Sequence, residues 1–330
     1  MPFAFTPGQF ITLALPVTGG MVRRCYSITS PASETRFCTI AVKRETNGLG
    51  SRHLHDDVAV GRCLKIEGPS GHFTLPDGGN EKMAESLILI SGGIGIAPLM
   101  SVLRQHQVSK AAMPVTLIAC PHLYEEIIFR EELMILMKGI PNITVRIMVG
   151  KPDAAWSGDT GRPSAALIAE SAGSILARAR VHLCGPAAMM EAVKQMLTEL
   201  GIESGRVHTE DFELAAGDNA ARDRAIAKIG GIVGAPIHVF EAAFIGVGRT
   251  VHIALGQSLL DVALTEDVPL RHTCGAAGAC GDCRVRIGEG SIETEDPNQL
   301  LTKFERSQGW VLACQTYPTS NVTAVETTRR

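Results

Sequence analysis

Residues 86–103 read Ser-Leu-Ile-Leu-Ile-Ser-Gly-Gly-Ile-Gly-Ile-Ala-Pro-Leu-Met-Ser-Val-Leu. This run of 18 carries no charge and reaches the lower limit of membrane-spanning length. Its interior argues against a span. The first half suits a buried β-strand, Gly92, Gly93 and Gly95 interrupt the middle, and Pro98 stands near the first turn of a helix-like half. Strand, glycine turn and helix are expected instead. Backbone at such a turn can approach a ligand closely, and the free N–H groups and dipole of the helix attract an anion such as a pyrophosphate. The spacing G-G-x-G-x-x-P is not the G-x-G-x-x-G/A dinucleotide fingerprint, so taken alone the cluster is equally compatible with a tight structural turn.

Outward from this unit, the chain divides by pattern. From about 84 to 212, apolar strands (SLILIS, PVTLIAC, NITVRIMV, RVHLC) alternate with helical stretches (APLMSVLRQHQ, EEIIFREELMILMKG, AAMMEAVKQMLTELG), which predicts a parallel sheet covered by helices on both faces. Before it, residues 1–83 set short apolar runs (FITLALPV, RFCTIAVKR, RCLKIEGPSGHFTL) between Gly, Pro and Asn turns, the rhythm of a small antiparallel β-barrel. Residues 213–235 lose the strand pattern and read as a linker. Residues 236–330 offer strands PIHVFEA and RTVHIAL, a helix SLLDVALTED, and then a cysteine loop.

That loop carries Cys274, Cys280 and Cys283, and Cys314 follows about thirty residues later. C-x5-C-x2-C…C is the spacing of a [2Fe–2S] cluster, with three thiolates on one tight loop and a fourth arriving from downstream. Zinc and disulfides are the competing readings. The small Gly-Ala-Ala-Gly-Ala insert, which lets backbone N–H groups approach inorganic sulfides, and the long fourth gap favour iron–sulfur. Electron transfer is then the expected chemistry.

Composition narrows the remaining classes. A chain of 330 residues, 45% hydrophobic and 20% charged, suits two or three domains of roughly 80 to 130 residues. A net charge of -3 without a run of like charge argues against nucleic-acid binding. Nine cysteines are too dilute and too odd in number for a disulfide scaffold, and no signal peptide opens the chain, so a reducing, cytoplasmic setting is expected. Cys25, Cys38, Cys63 and Cys120 lie in apolar runs and are expected to be small buried residues. The ten histidines show no zinc spacing; His53 and His55 are expected to be exposed, and Trp156 reads as a core anchor or a support of the nucleotide domain.

A second pattern lies in the barrel zone. Arg24-Cys25-Tyr26-Ser27 ends one apolar run, and Gly48-Leu49-Gly50-Ser51 follows the run ending Val42-Lys43-Arg44. An arginine pairs with phosphate through two N–H groups, a tyrosine ring stacks on a planar heterocycle, and a serine hydroxyl bonds its edge. Ser51 is expected to cap a helix, SRHLHDD, whose N-terminus can face a second phosphate.

Taken in order, these pieces resemble the ferredoxin–NADP reductase superfamily in its oxygenase-reductase form. The resemblance covers nearly the whole chain and implies a flavin β-barrel, an α/β nicotinamide domain and a C-terminal α+β ferredoxin domain of β-grasp type. The R-x-Y-S flavin motif is matched by Arg24, Tyr26 and Ser27, and the G-x-x-S phosphate motif by Gly48 and Ser51. Val42, Lys43 and Gly50 are implied beside them at the flavin. The G-G-x-G-x-x-P motif is matched by Gly92, Gly93, Gly95 and Pro98, the C-G-P motif near the nicotinamide ring by Cys184, Gly185 and Pro186, and a closing E-x-F by Glu210 and Phe212. The resemblance implies hydride transfer near Ser27, Cys184 and Glu210.

Electron counting supports that order. A nicotinamide gives two electrons as a hydride, a [2Fe–2S] centre accepts one, and a flavin handles both. FAD is expected over FMN, because related barrels with a S-x-x-L-H-D-like segment usually bind FAD. NADH is expected over NADPH, because no arginine pair follows PVTLIAC, although Arg130 keeps NADPH open. The implied acceptor is a partner protein, foremost the terminal oxygenase of a Rieske-type system, with the chain itself a monomer. The same modules also serve hybrid-cluster protein reductases, CoA epoxidases and haem monooxygenases, and a redox-sensing module is the non-enzymatic alternative. Two departures stand out. The chain begins almost on the segment Phe5-Thr6-Pro7-Gly8-Gln9-Phe10, where relatives carry one or two further strands, so either the barrel is truncated or the start is placed late. The gap between Cys274 and Cys280 has five residues, as in adrenodoxin-like ferredoxins, rather than the plant-type four.

Overall fold

A computed structural model of the chain describes residues 3–17, 20–75, 86–210, 220–229, 239–274, 276, 278–296 and 298–327. The chain separates into two compact units, Met1–Asp211 and Phe212–Arg330.

The first unit opens with a three-stranded antiparallel sheet. β1 (Phe10–Val17) lies between β2 (Gly20–Ser27) and β3 (Lys65–Ser70), in register Phe10↔Ser27 and Leu13↔Ile66. Ile11, Leu13, Leu15 and Ile28 form its core, joined by Phe3, Phe5, Cys38 and Ile40. Helix α1 (Leu49–Asp56) packs against β1 and β2. The run Arg36–Arg44, expected as a strand, makes no ladder. It contributes one antiparallel bridge, Ile28↔Ile40, and its neighbouring bonds join Thr29 and Thr39 at both backbone and hydroxyl. The apolar alternation there serves to bury Cys38 and Ile40, not to extend a sheet.

The same unit continues into a six-stranded sheet of order β7-β6-β5-β4-β8-β9. Its strands are β4 (Ser86–Gly92), β5 (Val115–Cys120), β6 (Ile143–Val149), β7 (Asp159–Thr160), β8 (Ala179–Cys184) and β9 (Val207–Glu210). All five pairings are parallel. Helices α2 (Ile96–Ser109), α3 (Arg130–Met137), α4 (Ala165–Ala172) and α5 (Ala187–Glu199) form the connections. Every residue of β4 is buried, as a central strand covered on both faces requires. The chain moves from β4 outward through β5, β6 and β7, then returns to place β8 on β4's other side. Strand order therefore reverses between β4 and β8, and open α/β sheets bind ligands at that point, outside the carboxyl ends of the strands. Helix α3 begins at Arg130, later than the expected helical stretch. Its preceding residue, Phe129, has φ +59°.

The second unit holds helix α6 (Ala220–Ile229) and a five-stranded mixed sheet of order β11-β10-β16-β12-β14. These strands are β10 (Val239–Phe244), β11 (Arg249–Ala254), β12 (Arg284–Glu289), β14 (Trp310–Leu312) and β16 (Val322–Thr327). A two-stranded sheet pairs β13 (Ile292–Thr294) with β15 (Thr316–Pro318). Helix α7 (Leu259–Thr265) buries Leu259, Leu260 and Val262 in the core and starts with a reciprocal Ser258–Asp261 capping box. Helix α8 (Lys303–Ser307) has the same device from Thr302 and Glu305. Helix α6 falls within the stretch read as linker. Ala221 and Ala225 are buried against Tyr317, while Arg224 and Lys228 pair with Glu293 and Glu295.

Candidate functional site

Three sets of the expected residues come together, each within one unit. In the first, β2 presents Arg24, Tyr26 and Ser27, and α1 starts immediately beside them. Gly50, buried in α1, sits so close that a Cβ there would meet Arg24 Cγ at 3.0 Å, Leu15 Cδ1 at 3.2 Å and the Tyr26 hydroxyl at 3.5 Å. The absence of a side chain lets the start of α1 lie directly on the arginine and tyrosine. Burial pushes the Tyr26 phenol up to about 12, with Arg24 pulling the other way, so it stays protonated. Ser51 does not cap α1. Gly48 holds the capping position without a side-chain bond, and Ser51 Oγ donates to the Gly48 carbonyl at 3.3 Å while accepting from the Glu45 N–H at 3.1 Å. It stabilises the loop that delivers the helix, leaving first-turn N–H groups available to an anion. Val42 offers its carbonyl to His55 Nε2 at 2.8 Å, and Lys43 is exposed beside Glu45. His55 is exposed as expected, whereas His53 is partly covered and bonds Asp57 at 2.9 Å.

The second set lies at the β4/β8 switch. A short 3-10 turn over Gly93–Gly95 leads into α2, with Pro98 buried in its first turn. A Cβ on Gly95 would stand 2.2 Å from the Cys184 carbonyl oxygen, one on Gly92 2.7 Å from Pro186 Cδ, and one on Gly185 2.8 Å from the Gly92 nitrogen. The β4–α2 and β8–α5 turns are thus in backbone contact, which only glycine permits. Gly93 differs: at φ +51°, its missing side chain faces open space within 4 Å. Three glycines close the two turns together, and the fourth leaves room for a ligand to approach the helix N-terminus. Ser91, Cys184 and Glu210 lie in one row, paired in register across β4, β8 and β9. Each is buried, and burial pushes the Glu210 carboxyl up to about 8. Its Oε2 has no hydrogen-bond partner among the described residues. Phe212 lies outside the described residues.

Two residues below that row, His182 and His208 stack at 5.1 Å. His182 also meets the edge of Phe73 at 4.9 Å, and its Nε2 approaches the Thr74 carbonyl at 3.4 Å. Burial, with His208 adding to it, pushes His182 down to about 3, so the ring is neutral.

The third set is the cysteine cluster. The β12–β14 register Arg284↔Leu312 brings Cys283 and Cys314 to adjacent chain ends, the Ala313 N–H donates to the Cys283 carbonyl at 2.8 Å, and the two sulfurs lie 3.3 Å apart. Cys274 and Cys280 form the other hydrogen-bonded thiol pair. All four are buried, and the loop turns through positive φ at Ala276, Gly278 and Gly281. Among the described residues, no three potential ligands converge on a single metal ion. Two buried pairs are the donor set of a binuclear cluster with two thiolates per iron, and do not make a mononuclear zinc cage. The hydrogen bond between partners and burial raise the Cys280 and Cys314 thiols well above the usual range, and a bound cation would offset this by favouring the thiolates. The backbone N–H groups of Asp282 and Gly278 point at Cys280 and Cys314, the kind of bond that tunes a cluster's potential. Gln315 and Asn298 hold the loop through the Ala276 and Gly278 carbonyls.

The other cysteines depart from expectation. Cys63 is exposed, because it lies in a turn region before β3 and not in a strand, while Cys25, Cys38 and Cys120 are partly covered. Trp156 is partly buried, donates to the Asp159 carbonyl at 2.8 Å and lies 6.0 Å from the Tyr124 ring. His182 was not singled out from the sequence, and neither was Arg104 of α2, whose Thr29 and Glu132 partners lie far off along the chain.

A three-stranded antiparallel sheet carrying the Arg24–Tyr26–Gly50 cluster, a nucleotide-type switch crevice and a binuclear-cluster loop on one chain point to a flavin- and iron–sulfur-dependent oxidoreductase. Family models agree in the same order: an oxidoreductase FAD-binding domain matches residues 2–75, an oxidoreductase NAD-binding domain residues 89–195, and a 2Fe-2S iron-sulfur cluster binding domain residues 243–319. The glycine betaine monooxygenase reductase subunit of Chromohalobacter salexigens is 30% identical over 97% of this chain and 87% of its own length. The ferredoxin reductase component of 3-ketosteroid-9-alpha-monooxygenase from Rhodococcus rhodochrous is 29% identical over 98% and 88%. Among solved structures, phthalate dioxygenase reductase, described as a modular structure for electron transfer from pyridine nucleotides to [2Fe–2S], aligns with a TM-score of 0.63 and 26% identity over 99% of this chain and 90% of that one. The chain belongs to this family of oxygenase reductase components, with FAD-, NAD- and [2Fe–2S]-binding domains in series.

Proposed function

We propose that this protein takes a hydride from NADH and delivers single electrons to a partner protein, the terminal oxygenase of a Rieske-type system. The observation that carries the reading is the pairing of four buried thiols, two and two, on the same chain as the glycine-closed switch crevice and the Arg24–Tyr26–Gly50 cluster. A bound flavin supplies the conversion of one two-electron step into two one-electron steps. The chain supplies the rest. Tyr26 and Arg24 would hold the flavin, the tyrosine by its ring and the arginine by its charge. Gly93 and the start of α2 would receive the nucleotide's pyrophosphate. Cys184 and Glu210 would close the nicotinamide end, Glu210 with its carboxyl proton held by burial. Cys274 with Cys280, and Cys283 with Cys314, would supply the thiolates of the cluster.

NADH is favoured over NADPH by the ends of the β4 and β5 strands. A crevice there is lined by Gly93, Pro121 and Glu126, and an acidic residue beside it disfavours an added phosphate. Arg130 is engaged over the Tyr124 ring at 5.0 Å. We infer a monomer in a reducing, cytoplasmic setting, since the nine cysteines form no disulfide. No helix among the described residues is long and apolar enough to cross a membrane. The test is NADH-driven reduction of the purified oxygenase partner. Wild type is expected to support it, and Cys280→Ser is expected to bleach its flavin with NADH yet leave the partner oxidised. Unchanged partner reduction by Cys280→Ser refutes the path.

A further inference from the structure

We propose that Arg104 is a positioning residue for hydride transfer, fixing the flavin-binding sheet against the nicotinamide-binding helix. The inference rests on the functional reading above. Ser101, Arg104 and Gln105 share one face of α2, at i, i+3 and i+4. All three grip the segment that follows Ser27. Ser101 Oγ donates to the Ser30 carbonyl at 2.7 Å in a buried bond. Arg104 Nη1 donates to the Thr29 carbonyl at 2.7 Å, and Gln105 Oε1 accepts from the Ser33 N–H at 2.9 Å.

Arg104 is itself over-determined. Its Nε and Nη2 form a fork on Glu132 at 2.9 and 2.5 Å, and the Phe129 ring backs the guanidinium at 4.8 Å. Phe129 holds that place at φ +59°, a left-handed conformation unfavourable for a bulky residue. A planar guanidinium held on two sides by a carboxylate and a ring has little freedom left, so its remaining donor is aimed at one carbonyl.

The lever arm is short. Thr29 is two residues beyond Ser27, and α2 begins at the Gly93–Gly95 turn. Nine residues of helix place Arg104 about 13 Å from that turn. A second contact flanks the other side: Phe73 and Thr74 meet His182, two residues before Cys184. Two joints, each two residues from a motif serine or cysteine, set the separation across which the hydride must pass. Because a misplacement of about 1 Å can cost on the order of a hundredfold in rate, the joint and the chemistry are coupled.

The test is anaerobic rapid mixing of holoenzyme with NADH, for wild type, Arg104→Ala, Arg104→Lys and Ser101→Ala. Flavin content and thermal unfolding are measured alongside. In Arg104→Ala the limiting rate of flavin bleaching is expected to fall roughly 10- to 100-fold. The apparent NADH dissociation constant should change by less than about threefold, the signature of lost alignment without lost binding. The long-wavelength band of NAD+ against reduced flavin should weaken in parallel. Arg104→Lys, which keeps one bond but not the fork, is expected between the two. If Arg104→Ala loses flavin, Ser101→Ala decides alone, with a fall of roughly three- to tenfold in the limiting rate. A limiting rate and long-wavelength band equal to wild type in the flavin-bearing variant overturn the proposal, as does a loss confined to the dissociation constant. Failure of wild type to bleach with NADH would instead overturn the functional reading, and this inference with it.

Discussion

Gly95→Ala tests the contact that builds the nucleotide crevice. Gly95 has φ -59° and ψ -9°, an ordinary helical conformation, so alanine meets no backbone strain there. The whole effect is a clash. The added Cβ would lie 2.2 Å from the Cys184 carbonyl oxygen, 2.5 Å from its carbon and 2.8 Å from the Gly185 nitrogen, all of them backbone atoms. The two turns must separate by at least 0.8 Å to bring the shortest distance to 3.0 Å. Overpacking of this kind costs about 1–3 kcal/mol. For a unit of this size, that lowers the midpoint of flavin-monitored unfolding by several degrees. The shift also moves the Cys184 end of the crevice relative to α2, so the limiting rate of NADH-driven bleaching should fall on the order of tenfold or more. Gly93→Ala is the contrast. Nothing lies within 4 Å of its added methyl, but φ is +51°, so stability falls by about 1 kcal/mol and NADH binding weakens as the methyl enters the approach path. Gly95→Ala with a wild-type midpoint and rate would refute the closed-turn geometry.

Further outcomes follow from burial and charge. Tyr26→Ala should weaken flavin retention about tenfold while Tyr26→Phe retains it, since the stacking face and not the phenol charge matters; equilibrium dialysis decides. Glu210 has its folded pKa raised to about 8 from 4.5, so its contribution to stability is present below 4.5 and lost as pH rises through 8. His182 is lowered to about 3 from 6.5, so its contribution is present above 6.5 and lost as pH falls towards 3. Denaturant unfolding across pH should therefore lose the slope between 4.5 and about 8 in Glu210→Gln and that between 6.5 and about 3 in His182→Asn; unchanged slopes would refute the burial of either group. Ala221→Asp puts a carboxylate into the contact with Tyr317 and should release α6, raising hydrogen exchange over 220–229 while the cluster spectrum stays unchanged. Wild-type protection in that variant would contradict the docking of α6.

What the sequence discloses depends on how the physics is distributed along it. The β4–turn–α2 unit was legible because a fully buried strand must be continuously apolar, and close turns must be glycine. The cysteine spacing was legible for the same local reason. Its two-and-two pairing was not, because it comes from the β12–β14 register between segments about thirty residues apart. Arg36–Arg44 misled because its alternation reports burial of Cys38 and Ile40 but not which partner its backbone has. Helix α6 escaped notice because the buried residues described on it are alanines, Ala221 and Ala225, which leave no apolar stripe to read. The expected helix start at Ser51 falls three residues after the observed cap at Gly48, since a serine can cap a helix or, as here, bond the loop before it. Arg104 and His182 act across segments distant in sequence, and no local pattern marks them.

The central claim is that flavin and cluster share one electron path on this chain. Anaerobic reductive titration of the holoenzyme, followed by flavin absorbance and by electron paramagnetic resonance, tests it most directly. About three electrons per chain are expected, two at the flavin and one at the cluster, with NADH alone producing the reduced-cluster resonance. Cys280→Ser should take about two and show no cluster signal. An NADH-reduced flavin beside a cluster that stays oxidised in wild type would contradict the account.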